Sequence, residues 1–121
     1  MNYTIGEVAE KVNLTTFTLR YYEKEKILLP INRDESGKRV FKKKDIEWIN
    51  LIKCFKETGM SMEDIKKLVE LILEGDKTIP KRLEILKNHK EKVLKKMEDL
   101  EKNLNKIDMK IKWYNDQIKK T

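Results

Sequence analysis

The sequence predicts a mainly α-helical fold: several short helices, one small β-hairpin among them, and a single very long C-terminal helix. Three observations carry this. Apolar residues recur at helical spacing through residues 5–12, 46–55 and 65–72. The one stretch that breaks the pattern, residues 29–41, holds a proline and an Asp-Glu-Ser-Gly turn between two short extended runs. After Ile79 no breaker follows Pro80, and apolar residues then alternate at three and four to the end.

The first helix begins at a capping box. Thr4 caps it, and Glu7, three residues on, can return a bond to the Thr4 N–H. Ile5, Val8, Ala9 and Val12 give it one buried face. Asn13-Leu14 breaks the chain, with Leu14 packing in the turn. Thr15 or Thr16 then caps a second helix. That helix carries Thr15, Thr16 and Thr18 at its start and Arg20, Tyr21 and Tyr22 further on. Helix, tight turn, and a polar, cationic second helix is the layout of a helix-turn-helix reader of the major groove. Leu19 and Tyr22 are expected to face the core. Phe17 can meet a thymine methyl or fill the core, and the balance tips to the core.

The extended runs make a hairpin wing with Arg33, Lys38 and Arg39 on or near it. A basic hairpin beside such helices can lie along the phosphate backbone, where contacts set position and affinity rather than sequence. A third helix is expected from about Lys43 to Thr58, with Ile46, Ile49, Ile52 and Phe55 on one face and Trp48 and Leu51 beside it. Gly59 ends it. Lys53 and Lys56, near its end, can reach a phosphate or simply be solvated. Ser61 caps a fourth helix, whose buried face is Ile65, Leu68, Val69 and Ile72 and which stops at Gly75-Asp76.

The last helix is roughly 40 residues and so about 60 Å long. Its stripe is Leu83, Leu86, Lys90, Val93, Met97, Leu100, Leu104, Ile107, Ile111, Tyr114 and Ile118, with Lys90 the one polar member. So narrow a stripe calls for a partner helix, most simply its twin in a homodimer. His89 beside Lys90 suits a pairing or surface role better than metal ligation, since no other His and no Cys lies within a turn of it. The expected division is residues 1–75 for DNA binding and connection and 76–121 for dimerisation.

Composition agrees with a polyanionic partner. Of 121 residues, 28 are Lys or Arg and 21 Asp or Glu, a net charge of +7. The single cysteine, Cys54, permits neither an intramolecular disulfide nor a cysteine-cluster metal site. No signal peptide or spanning segment is evident, so a cytoplasmic protein with no membrane partner is expected. No paired carboxylates, phosphate-cradling glycine loop or Cys/His pair suggests an enzyme or a cofactor. The competing reading is a coiled-coil scaffold whose basic surface is incidental.

These pieces together resemble the MerR family of bacterial transcription regulators. The likeness rests on TIGEVAEKVNLTTFTLRYYEKEKILLP, the SGKRVF hairpin, DIEWINLIKCFKETGMSMEDIKKL and the long last helix, and covers essentially the whole chain. Cys54, the LIKCFKETGMS context, the EGDKT bend and RLEILKNHK are similar to a small AdhR/NmlR-like branch without an effector domain that answers aldehyde, electrophile or nitrosative stress. The resemblance implies a winged helix-turn-helix domain, a two-helix connector and an antiparallel coiled coil. It implies a dimer on double-stranded promoter DNA whose −35 and −10 elements are too far apart, bending it so that RNA polymerase engages both. Matched by position, Thr15, Thr16 and Phe17 would lie nearest the bases, and Thr18 is counted with them as a small polar residue at the helix start. Arg20 and Tyr21 would contact DNA from the second helix and Arg33 and Arg39 from the wing; Lys38 and Lys56 join the expected DNA-binding set by their charge and place on the wing and the third helix. The family usually has Tyr where Phe41 stands, so a phosphate contact there is expected to be lost. Without paired cysteines the metal-sensing mode of the family is not supported. Cys54 is then either buried apolar filler or the sensor, and the likeness strengthens the sensor reading.

Overall fold

The computed structural model describes all residues, 1–121. The chain forms α1 (Ile5–Val12), α2 (Thr16–Lys24), β1 (Asn32–Arg33), β2 (Arg39–Val40), α3 (Lys43–Glu57), α4 (Met62–Glu74), a 3₁₀ turn (Asp76–Thr78) and α5 (Ile79–Lys120). By contacts it divides into two compact units, Met1–Ile85 and Leu86–Thr121. No helix is long and apolar enough to cross a membrane.

The first unit is built around one apolar cluster to which α1–α4 all contribute. Val8, Val12, Leu19, Ile27, Phe41, Ile49, Ile52 and Ile65 are almost wholly enclosed in it. Each helix enters the cluster at a chemically fixed point. The capping box at Thr4 forms as expected, with Glu7 N–H donating to Thr4 Oγ1 (3.1 Å) and Thr4 N–H to Glu7 Oε1 (2.9 Å). Asn13 takes the left-handed conformation at the end of α1 (φ 55°), a position its short amide side chain tolerates. Lys53 Nζ of α3 donates to the Val12 carbonyl at 2.5 Å. A cation thus meets the negative end of α1, and a carbonyl the helix leaves orphaned gains a partner. Lys53 is therefore tied to α1 rather than offered to a phosphate.

Between α2 and the wing the chain runs through Lys26, which sits at φ 61°. Trp48 of α3 holds this segment: its indole N–H donates to the Ile27 carbonyl at 2.7 Å inside the core. The two strands pair antiparallel, Asn32 opposite Val40 and Arg33 opposite Arg39. Tyr3 and Phe41 add a bridge, exchanging backbone bonds of 2.8 and 2.9 Å, so the chain start is stitched to the base of the wing. Phe41 is fully buried. This position serves the core, and its phenyl ring offers no hydroxyl to a phosphate.

The α3–α4 pair and the corner after it complete the unit. Gly59 (φ 90°) turns the chain, and Ser61 Oγ accepts from Asp64 N–H to start α4. At the far end, the buried Thr78 hydroxyl donates to the Leu71 carbonyl (2.6 Å), while Arg82 donates to Thr78 Oγ1 (3.0 Å) and the Gly75 carbonyl (2.8 Å). Two burial expectations change. Leu51 is 46% exposed, whereas Leu71, assigned to no face, is 2% exposed. Leu71 lies on the α4 side that meets the corner, so contacts after the helix decide its fate.

The second unit is the body of α5, a single uninterrupted helix. Its charged flanks carry the pairs Lys95–Asp99 (3.0 Å) and Lys102–Glu98 (3.4 Å). Within one chain none of its residues is buried, including the apolar stripe.

Candidate nucleic-acid interface

The candidate surface begins at the Thr15 cap. Thr15 Oγ1 accepts from the Thr18 N–H (3.0 Å) and lies 2.9 Å from the Thr18 hydroxyl, so Thr15 is the residue that opens α2. Leu19 and Tyr22 turn inward and are buried. Opposite them, Phe17 is 77% exposed and Tyr21 is 44% exposed. The core placement favoured for Phe17 is corrected. At this point of α2 the inward positions are already filled by Leu19 and Tyr22, and the phenyl ring is left in solvent. An uncovered phenylalanine at the head of a helix that also displays Thr16 and Arg20 is an apolar contact suited to a thymine methyl. Arg20 Nη1 is 3.4 Å from Thr16 Oγ1, one turn back on the same face.

Burial pushes the Tyr22 hydroxyl above the ordinary phenol range, and the neighbouring Tyr21 adds to the effect. Lys56 of α3 lies over the Tyr22 ring, 5.6 Å from its centre. That cation–π contact holds Lys56 close to α2 while the side chain remains exposed.

The wing is organised by Asp34. One carboxylate oxygen accepts from the backbone N–H groups of Ser36 and Lys38 (both 2.9 Å) and from the Ser36 hydroxyl (2.8 Å). These bonds hold the Asp34 carboxyl below its ordinary range. Arg33 donates to the Gly37 carbonyl (2.8 Å), and Gly37 takes φ 84°. Arg39 meets Glu23 of α2 at 2.7 Å, a half-buried pair that locks the wing to the α2 helix. Arg33 and Arg39 are therefore both engaged within the chain, Arg39 by its Nε and Arg33 by one terminal nitrogen. Lys38 is exposed at the tip. Between the wing, the start of α1 and α2 lies an open cleft of about 460 Å³, lined by Tyr3, Thr4, Arg20, Asp34, Lys38 and Arg39 among others. The structure so brings Thr15, Thr16, Phe17, Thr18, Arg20 and Tyr21 onto one helix beside a basic hairpin. Sequence reasoning missed Glu23, which orients Arg39. Its signal was an acid and a base placed where a helix and a hairpin must meet.

Cys54 is exposed on α3. The buried-filler reading is corrected: Ile52 and Phe55 take the inward positions and leave Cys54 on the outer side of the helix. No three His, Cys, Asp or Glu side chains gather closely enough to hold a metal ion.

Comparison with known proteins places this geometry. The family model described as MerR HTH family regulatory protein matches residues 3–72, and that described as MerR, DNA binding, matches residues 46–109. An HTH-type transcriptional regulator of Haemophilus influenzae is 40% identical over 114 residues, covering 94% of this chain and 84% of the relative. The transcriptional regulator AdhR of Bacillus subtilis is 38% identical over 90 residues, 74% of this chain and 64% of AdhR. Among solved structures, HiNmlR, a MerR family regulator lacking the sensor domain and bound to promoter DNA, superposes with a TM-score of 0.88 at 39% identity. The match covers 95% of this chain and 91% of HiNmlR. A MerR family transcriptional regulator from Bacillus thuringiensis gives a TM-score of 0.82 at 40% identity, covering 92% and 97%. The exposed α2, the wing and the long final helix are thus the parts of a known kind of DNA-binding regulator, and the chain belongs to the MerR family of helix-turn-helix transcriptional regulators.

Proposed function

We propose that the protein acts as a homodimer on double-stranded promoter DNA, with residues 1–75 reading the duplex and residues 76–121 pairing the two copies. The observation that carries this is the display of Phe17, Arg20 and Tyr21 on the outer face of a helix flanked by a basic hairpin. In this reading Thr15, Thr16, Phe17 and Thr18 approach base edges. Arg20, Tyr21, Arg33, Lys38, Arg39 and Lys56 meet the backbone. The complex of the relative HiNmlR with promoter DNA supports the choice of ligand.

The dimer spans a promoter with an overlong spacer, and phosphate contacts at both ends offset the elastic cost of bending it toward a shape that RNA polymerase can engage. Cys54 is the sensor: its exposure supports attack on aldehydes, other electrophiles or nitrosating agents, and an enlarged side chain on α3 would change which DNA shape the dimer favours. The protein works in the cytoplasm, where its DNA lies.

The test is selection of duplexes from a random pool, followed by titration of the recovered duplex at several salt concentrations. A palindromic site whose affinity falls steeply with salt is expected, since phosphate contacts release counterions. No enriched duplex and a flat salt response would return the scaffold reading. Alkylation of Cys54 should alter the bend angle of the bound duplex, and an unchanged bend would remove it as sensor.

A further inference from the structure

We propose that the side of α5 turned away from its apolar stripe, centred on Met109 and Trp113, docks an acidic segment of another protein that sets an apolar side chain against these two residues. The proposal rests on the dimer reading only in taking the stripe as already occupied by a second copy.

Helical spacing separates two sides of the last part of α5. Ile107, Ile111, Tyr114 and Ile118 fall on the stripe, whereas Lys102, Lys106, Met109, Trp113 and Lys120 fall about half a turn round from it. Met109 is 72% exposed and Trp113 50%. They stand four residues apart and so are neighbours on the helix surface. Positions outside the seam of a paired helix are ordinarily polar, because no burial rewards an apolar group there. One exposed apolar residue is unremarkable. A tryptophan and a methionine one turn apart among lysines have the composition of an interface centre, aromatic and sulfur-bearing within a charged rim.

The tryptophan is already braced. Lys110 Nζ lies 4.6 Å from the centre of the Trp113 ring and 5.1 Å from that of Tyr114. The two rings meet edge to face, their centres 5.1 Å apart. A side chain held in this way loses less freedom when a partner covers it.

Charge selects the occupant. Between residues 102 and 120 this side carries Lys102, Lys106 and Lys120, with Lys110 at its edge, against the single acid Asp116. Lys102 is shared with Glu98 at 3.4 Å. A segment with Asp and Glu on either side of a Leu or Phe meets ammonium groups along the helix both before and after the apolar pair. A basic segment is repelled by the same groups. A single nucleic-acid strand would need the indole for base stacking, but Lys110 stands over that ring and Met109 offers no flat surface.

Selection of displayed peptides tests this. The full chain is the target, and the full chain with Trp113→Gln, an outer-side change that should leave helicity and sedimentation unaltered, is the counter-target. Sequences rich in Asp and Glu around one aromatic or aliphatic residue are expected. A recovered peptide, labelled and titrated by fluorescence anisotropy, should bind about tenfold more weakly to Trp113→Gln and to Met109→Gln. Its affinity should fall as salt rises, and affinity for the selected duplex should be the same in all three chains. Recovery of neutral or basic sequences, or of none that depends on Trp113, would overturn the acidic partner. A single-stranded thymidine oligonucleotide that displaces the peptide and itself requires Trp113 would give the face to nucleic acid instead. A Trp113→Gln chain that sediments as a smaller species than wild type would give it to a second copy. A wild-type chain that sediments as a monomer yet binds the acidic peptide through Trp113 would overturn the dimer reading and uphold the docking surface.

Discussion

Replacing Trp48 with phenylalanine isolates one bond on which the placement of α2 and the wing depends. Trp48 is 8% exposed and its indole N–H reaches the carbonyl of Ile27, a residue with no exposed surface. A phenyl ring keeps an edge-on aromatic partner for Phe55, now 6.2 Å away. It removes the donor and leaves the carbonyl buried without it, which costs about 1–3 kcal/mol. The smaller ring adds about 1 kcal/mol for incompletely refilled space. A loss of about 2–4 kcal/mol is expected, a large fraction of the ~5–15 kcal/mol that holds an ordinary domain together. Urea unfolding followed by far-ultraviolet circular dichroism measures it, with all samples at one chain concentration because the proposed dimer would make the midpoint depend on concentration. The segment after α2 is also expected to loosen, so affinity for the selected duplex should drop in parallel. A shift below about 0.5 kcal/mol at unchanged m-value would refute the reasoning, showing that the carbonyl finds another partner without cost.

Four further outcomes follow from the same geometry. Arg20→Ala should abolish binding to the selected duplex while sedimentation still reports the same oligomer; retained affinity would remove Arg20 from the interface. Thr15→Ala deletes the acceptor for the Thr18 N–H and should cost about 0.5–2 kcal/mol in urea titration. Tyr22 is held protonated in the folded state, so stability should be intact below the ordinary phenol value and decline as pH rises through it toward the raised folded value. A flat alkaline profile in wild type, matched by Tyr22→Phe, would contradict this. Asp34 has the opposite sign: the wing turn should be ordered above the ordinary carboxylate range and loosen as pH falls through the lowered value, visible as lost protection of the Ser36 and Lys38 amides relative to their intrinsic exchange rates at each pH.

The helices were legible because their ends carry their own chemistry. Thr4 with Glu7, Ser61, Gly59 and Gly75 mark boundaries that sequence alone can read, and the structure keeps them within about a residue. The exposed head of α2 was half legible. Threonines and arginine announce a polar face, but the position of Phe17 depends on how α2 packs, which periodicity over nine residues leaves open. Leu51 and Leu71 misled for the same reason: α3 meets the core along a stripe narrower than its run of apolar residues, and α4 is covered on a second side by the corner at Thr78. What no local pattern could reveal are the long-range ties. Trp48 to Ile27, Lys53 to Val12 and Arg39 to Glu23 join residues 16–41 positions apart, each linking elements whose meeting is a property of the whole unit.

The bridge between Tyr3 and Phe41 has a practical side. It fixes the first residues of the chain at the root of the hairpin, where Asn2, Tyr3 and Thr4 help wall the same cleft as Arg20 and Lys38. Anything fused ahead of Met1 would therefore emerge beside the face proposed to meet DNA. A purification handle placed there would compete with the duplex, and a bulky or acidic one would mimic a loss of affinity that belongs to the tag. Handles belong after Thr121, and any measurement made with an amino-terminal fusion should be repeated once the fusion has been cleaved.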